Sequence, residues 1–292
     1  MKIAYFLLLI TFLSSCAFNK MFLYPSELKT DATFKEYSEE LNDTIELSFN
    51  SSHQPILKNS KNELTHFNYE IIGKDFINSE GDSINAWLLK PKNYNGITIY
   101  YLHGNAGNIT YNFPLMKSFA EDGFQIFMID YSGYGFSQGK ATRKNVLIDG
   151  NDGLDFLINS SEIIYDKLII YGQSLGGHLS CVVATQNQSK IDALVVEGAF
   201  SSHKDIASDV VPVLGRIFVR EIYSAEKNLP DFHKPVLIIH STEDKTVAFK
   251  NGERLFEVAN HPKTFLPIKG RHVFGPILFY DVISTKILQL LN

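Results

Sequence analysis

Cysteine is scarce in this 292-residue chain: Cys16 and Cys181 stand against nine scattered histidines, with no paired metal-ligand spacing. That excludes a disulfide scaffold and argues against a structural zinc site. Charge is thin as well. Charged residues make up 20% of the chain, the net charge is −5 and the isoelectric point is near 6.0, so no basic face advertises nucleic acid. No repeat and no low-complexity tract is present. What the chain does have is apolar bulk: 45% hydrophobic and 13% aromatic residues, enough for one large α/β domain or two small ones.

The first twenty residues read MKIAYFLLLITFLSSCAFNK. Lys2 followed by the apolar stretch 3–13 suits an export signal, being too short to cross a bilayer, which takes roughly 20 residues. Leu13-Ser14-Ser15-Cys16 then resembles the lipobox of bacterial lipoproteins, in which the cysteine sulfur is lipidated and the cysteine becomes the first mature residue. The resemblance implies loss of residues 1–15 and a membrane partner held by acyl chains on Cys16, at about 0.8 kcal/mol per buried CH₂. Ala17, rather than aspartate, follows the cysteine. This resembles the default outer-membrane sorting signal of enteric-type bacteria and implies a lipid-anchored place in the bacterial cell envelope. The plainer alternative is an ordinary signal peptide with an incidental cysteine. With Cys16 lipidated, Cys181 in LSCVVA has no disulfide partner and reads as helix packing.

Residues 16–63 read as an arm or linker that touches the domain at a few apolar points such as Phe22, Leu23 and Tyr24. From about residue 64 the pattern changes. HFNYEII and SINAWLLKP bracket NSEGDS, which predicts a β-hairpin. GITIYYLHG, FQIFMIDYSGYG, DKLIIYGQS, IDALVVEGAF and PVLIIHSTED are apolar runs of strand length, continuous as in strands buried on both faces. Helix-length stretches at 112–121, 143–157, 175–186, 252–259 and 282–291 alternate with them, which predicts a doubly wound, mostly parallel sheet over 64–292. Residues 200–230 break the rhythm and predict a small helical cap, with a packed crossover helix as the alternative.

In such sheets reactive groups gather beyond the carboxyl ends of the strands. There, Gly172-Gln173-Ser174-Leu175-Gly176 matches G-x-S-x-G between a strand and a helix. A nucleophile elbow turns too tightly for side chains at its flanks, so Gly172 and Gly176 clear the way for Ser174. The Leu175 N–H then opens the helix as an oxyanion donor. A serine hydroxyl needs a base, and the base an acid. His240 lies within a strand and His261 precedes one, whereas His272 follows the strand TFLPI on a glycine-containing loop. Asp244, past PVLIIHSTED, is the matching acid; Glu197 at another strand end is the alternative, and Glu243 points the other way in an extended loop. The loop His103-Gly104-Asn105-Ala106-Gly107-Asn108 supplies the second donor, assigned to Asn105, with His103 as its buttress.

Taken together, YLHGNAGN, DYSGYGFSQG, GQSLGG, the aspartate of STEDKTV and the histidine of KGRH resemble the α/β-hydrolase superfamily. They resemble most its serine-aminopeptidase-like and bud-emergence-type members, which include protein depalmitoylases and monoacylglycerol lipases. The resemblance spans about residues 67–292 and implies Ser174, Asp244 and His272 as catalytic, with no metal or organic cofactor. One departure is Ser132, where relatives often carry arginine. The expected activity is hydrolysis of an ester or thioester, with a small or medium acyl group because the cap is short, and with lipid-derived esters included because of the membrane anchor. A serine peptidase with the same triad is the alternative within the enzymes, and a catalytically silent envelope lipoprotein the alternative outside them.

Overall fold

The computed structural model describes residues 22–292 apart from 39–40, 66, 212–214, 216 and 218, so Cys16 and the export-signal residues lie outside the described residues. The chain starts with strands β1 (Tyr24–Pro25), β2 (Phe34–Ser38), β3 (Asp43–Phe49) and β4 (Pro55–Lys58). The hairpin follows as β5 (Tyr69–Ile77) and β6 (Ser83–Pro91), with Tyr69 opposite Pro91 and Ile77 opposite Ser83. Next come β7 (Ile97–Leu102), β8 (Ala106–Gly107), the short helices α1 (Ile109–Asn112) and α2 (Lys117–Glu121), β9 (Gln125–Ile129) and α3 (Arg143–Asn159). The second half runs β10 (Lys167–Gln173), α4 (Leu175–Gln186), β11 (Ala193–Glu197), α5 (His203–Val210), α6 (Ala225–Asn228) and β12 (Val236–Ser241). It closes with α7 (Lys250–Val258), β13 (Lys263–Ile268), α8 (Gly275–Leu278) and α9 (Tyr280–Leu290).

The apolar runs become one eight-stranded sheet in the order β13-β12-β11-β10-β7-β9-β6-β5. Pairing is parallel from β13 through β9, and antiparallel for β9–β6 and β6–β5. The runs are continuous because successive side chains leave on opposite faces and both faces are covered. On β10, Leu168 and Ile170 join the core beneath α3 and α4, while Ile169 and Tyr171 join the core beneath α2 and α9. The alternation repeats on β11 and β12. This is the α/β-hydrolase fold.

Two expectations need correction. The stretch 112–121 is not one helix: a 3₁₀ turn, Phe113–Leu115, separates α1 from α2. Pro114 sits in it, and a ring without an N–H cannot continue a helix from within. The arm or linker of residues 16–63 is, from Phe22 on, part of the fold. Strands β2, β3 and β4 form an antiparallel sheet whose Ile45, Leu47 and Phe49 alternate inward along β3. Phe22 and Leu23 are buried in the core, while Tyr24 is 55% exposed. Among the described residues no helix is long and apolar enough to cross a membrane.

The described part of 200–230 is short helix and irregular chain, tied inward by Ala207, Val219, Tyr223 and Ala225. It stacks on α4 through His178, whose ring lies 4.2 Å from Phe200 and 4.6 Å from His203. Cys181, also on α4, is fully buried, and burial pushes its thiol up to about 12.

Candidate active site

Ser174 is the single residue between β10 and α4, and it stands at φ +54°, ψ −115°. That left-handed backbone is costly for any side chain, by about 1–2 kcal/mol. It is held from both sides: the Ser174 N–H donates to Glu197 O at 2.9 Å, and Ser174 O accepts from His178 N at 3.0 Å. The flanking glycines are required by close approach. A Cβ on Gly172 would overlap the Gly176 carbonyl, and one on Gly176 would overlap the carbonyl of Leu102 at the end of β7. The Leu175 N–H heads α4 and has no intrahelical acceptor, so it and the helix dipole favour negative charge beside Ser174.

His272 sits on the loop between β13 and α8. Its Nδ1 lies 2.6 Å from Asp244 Oδ2. The Asp244 side chain is fully buried, and its second oxygen accepts from Thr246 N at 2.8 Å and Val247 N at 2.9 Å. Burial alone would raise the Asp244 carboxyl. The His272 hydrogen bond and charge, with the two amides, outweigh it and hold the carboxyl below its ordinary value. Because a carboxylate only accepts, Nδ1 carries the proton and Nε2 keeps a lone pair, which is buried and meets no partner among the described residues. His272 lies near the elbow: a Cβ on Gly198, next to the Glu197 that receives the Ser174 amide, would sit 3.1 Å from His272 Cε1.

Asn105 lies on the loop after β7, and a Cβ on its neighbour Gly104 would be 3.6 Å from Ser174 Cβ. His103 is buried at the root of that loop. Its Nδ1 meets Gly104 O at 2.7 Å and its Nε2 lies 3.6 Å from Asp130. Asp130, raised by burial, also accepts from Ile109 N at 2.8 Å. Tyr131 donates to His103 O at 2.9 Å and Tyr134 to Asn105 O at 3.0 Å. The DYSGYG stretch is therefore the scaffold of the Asn105 loop. Ser132 is fully buried, its amide 2.7 Å from Asp149 Oδ2. Burial pushes the Asp149 carboxyl up to about 6.

The alternative acid, Glu197, is not at the imidazole nitrogen. It is buried and accepts from Tyr171 OH at 2.6 Å, Gln173 Nε2 at 2.7 Å and Gly275 N at 2.8 Å. Burial raises its carboxyl. Gln173 also donates to Val273 O at 3.1 Å, and Val273 adopts φ +52°, a strained value for a β-branched residue. Glu197 and Gln173 thus tie the elbow strand to the residue after His272. Sequence reasoning missed Gln173 as a tie; its signal was a polar side chain closing an apolar strand. In Glu197→Gln, an amide NH₂ must face at least one of three hydrogen-bond donors. The variant should lose about 1–3 kcal/mol of stability in urea melts yet keep a folded site with measurable turnover.

Glu243 turns away, as its carboxylate accepts from Gly270 N at 3.0 Å. His240 is buried in β12, 2.9 Å from Val247 O. Among the described residues one His/Glu group clusters closely: ligand atoms of His178, His203 and Glu221 lie within 4.8 Å of one another. Burial drives His178 down to about 3. His203 is lowered by burial and, against the Glu221 hydrogen bond, by the Arg143 charge. A neighbouring guanidinium disfavours a second cation, so the cluster reads as ring packing.

This architecture defines the class: the chain belongs to the α/β-hydrolase family, whose alpha/beta hydrolase fold description matches residues 97–218. Within it the relatives are of the bud-emergence type. The chain is 30% identical over 216 residues to the uncharacterized protein YfhR of Salmonella typhi, covering 68% of this chain and 73% of that protein. It is 34% identical over 155 residues to protein bem46 of Schizosaccharomyces pombe, covering 51% and 52%. Among solved structures, the Pyrococcus furiosus esterase Pf2001 superposes with a TM-score of 0.63 at 15% identity, covering 76% of this chain and 92% of that one. Est1E from Butyrivibrio proteoclasticus, solved with ferulic acid, gives 0.61 at 18% identity over 74% and 98%.

Proposed function

We propose that the protein is an exported, lipid-anchored serine hydrolase that cleaves carboxylic esters or thioesters through an acyl-enzyme on Ser174. The observation that carries this reading is the 2.6 Å contact of His272 Nδ1 with buried Asp244, which leaves Nε2 an unshared base. Ser174 Oγ attacks the acyl carbonyl carbon while its proton passes to His272 Nε2. The carbonyl electron pair moves onto oxygen, facing the amides of Leu175 and Asn105, each donor worth roughly 3–4 kcal/mol in kcat. Collapse breaks the bond to the leaving alcohol or thiol, which takes the proton from Nε2. Water, deprotonated by Nε2, then attacks the acyl-serine. The second collapse releases the carboxylic acid and returns the proton to Ser174. No metal or organic cofactor enters this scheme.

The test is covalent labelling of the full-length protein in detergent with a fluorophosphonate, beside hydrolysis of p-nitrophenyl esters of increasing chain length. The expected result is one adduct, mapped by mass spectrometry to Ser174, and a chain-length optimum that sizes the acyl site. Neither labelling nor turnover of any ester or thioester would overturn the reading, and turnover of aminoacyl anilides alone would make the protein a peptidase. The anchor is tested separately: metabolic labelling with palmitate is expected in the wild type and absent from Cys16→Ser.

A further inference from the structure

Residues 22–28 take no part in the proposed chemistry, yet they are hydrogen-bonded to the loop that carries Asn105. Strand β1 pairs in parallel with β8, and the Tyr24 N–H donates to Asn105 O at 2.9 Å. Ser26 O accepts from Asn108 Nδ2 at 2.9 Å and from Gly135 N at 3.0 Å, and Leu28 N donates to Gly135 O at 2.8 Å. Upstream, the buried Phe22 ring lies 5.1 Å from the Arg143 guanidinium and 5.0 Å from the His203 ring. The segment is thus pinned at both ends and crosses the loop in between.

We propose that residues 22–28 are a strap that positions the oxyanion loop, acting through the Tyr24 amide together with the Tyr134 hydroxyl. The inference rests on the acyl-enzyme reading of Ser174. A peptide unit is planar, so the direction of the Asn105 N–H follows from the plane it shares with Gly104 C=O. His103 Nδ1 holds that carbonyl at 2.7 Å. The next plane, which carries Asn105 C=O, is held by Tyr24 N–H at 2.9 Å and Tyr134 OH at 3.0 Å. Two planes fixed on either side of Asn105 Cα leave no soft rotation by which its amide can swing from the oxyanion. Removing either donor to Asn105 O leaves the second plane held by the other alone and able to tilt about it. A misplacement of about 1 Å in such a group can cost on the order of 100-fold in rate.

The experiment compares three full-length variants. Tyr24→Pro deletes the amide donor; Tyr24→Ala keeps it and loses only the exposed ring; Tyr134→Phe deletes the hydroxyl and keeps the ring. For a p-nitrophenyl ester, Tyr24→Pro and Tyr134→Phe should each lower kcat by about tenfold or more, with KM within about twofold and slower fluorophosphonate labelling. Tyr24→Ala should match the wild type. A lowered melting temperature with kcat intact would overturn the strap as a positioning element, and so would Tyr24→Ala as slow as Tyr24→Pro. If Tyr24→Pro does not fold, Tyr134→Phe decides alone. Failure of the underlying reading is a different result: the wild type itself would then not label at Ser174.

Discussion

Replacing Ser174 with alanine is expected to lower kcat for p-nitrophenyl esters by about five orders of magnitude and to abolish fluorophosphonate labelling. The variant should fold as the wild type does. Its amide and carbonyl keep their bonds to Glu197 and His178, and alanine suffers the φ of +54° no more than serine does. Ser174→Gly separates the two costs. It loses the same activity, yet glycine tolerates that backbone, so it should gain about 1 kcal/mol and melt about 2–4 °C higher. An alanine variant that keeps a hundredth of wild-type turnover would sink Ser174 as the nucleophile. A glycine variant less stable than the wild type would show that the elbow stores no strain.

Asp244→Asn is the second large effect, a fall in kcat of about 10⁴-fold at neutral pH with KM little changed. The direction follows from the bonds around the carboxyl group. Thr246 N and Val247 N, at 2.8 and 2.9 Å, need an acceptor, so the asparagine oxygen must face them. Its NH₂ then faces His272 Nδ1 and forces the proton onto Nε2, where the lone pair is needed. The same carboxyl links to pH. Held below its unfolded value near 3.9, it stabilises the fold above about pH 4, and that stability is lost as pH falls through the folded value. Urea melts at pH 7 and pH 3 should therefore show a larger loss on acidification for the wild type than for Asp244→Asn. Equal losses, or a variant with near-normal kcat, would remove Asp244 from the role of acid. Glu197→Gln, in contrast, should register chiefly in stability.

These residues were legible because the strands of a two-sided sheet write themselves as unbroken apolar runs, and each run stops where its strand reaches the loops. Counting from those stops puts Ser174, Asp244 and His272 at one edge of the sheet. Three features escaped. In β3 the inward Ile45, Leu47 and Phe49 alternate with polar, half-exposed neighbours, a signal only seven residues long within a polar stretch. β1 is two residues long, and its contacts are backbone bonds that carry no side-chain pattern. The ties among Glu197, Gln173 and Val273 join residues up to 100 positions apart, so they exist only once the sheet has formed. Periodicity reports a residue's own neighbourhood; a tie between loops belongs to the tertiary structure.

The strap also sets a distance. Six residue steps separate Cys16 from Phe22, which extended chain can stretch to no more than about 20 Å. With the proposed lipid on Cys16, the oxyanion loop is leashed to the bilayer within roughly the thickness of one leaflet and its headgroups. Esters lying in that surface then meet Ser174 at a local concentration fixed by the leash, whatever their concentration in bulk water. Lengthening the leash with glycine and serine should therefore dilute the enzyme for surface-held esters alone.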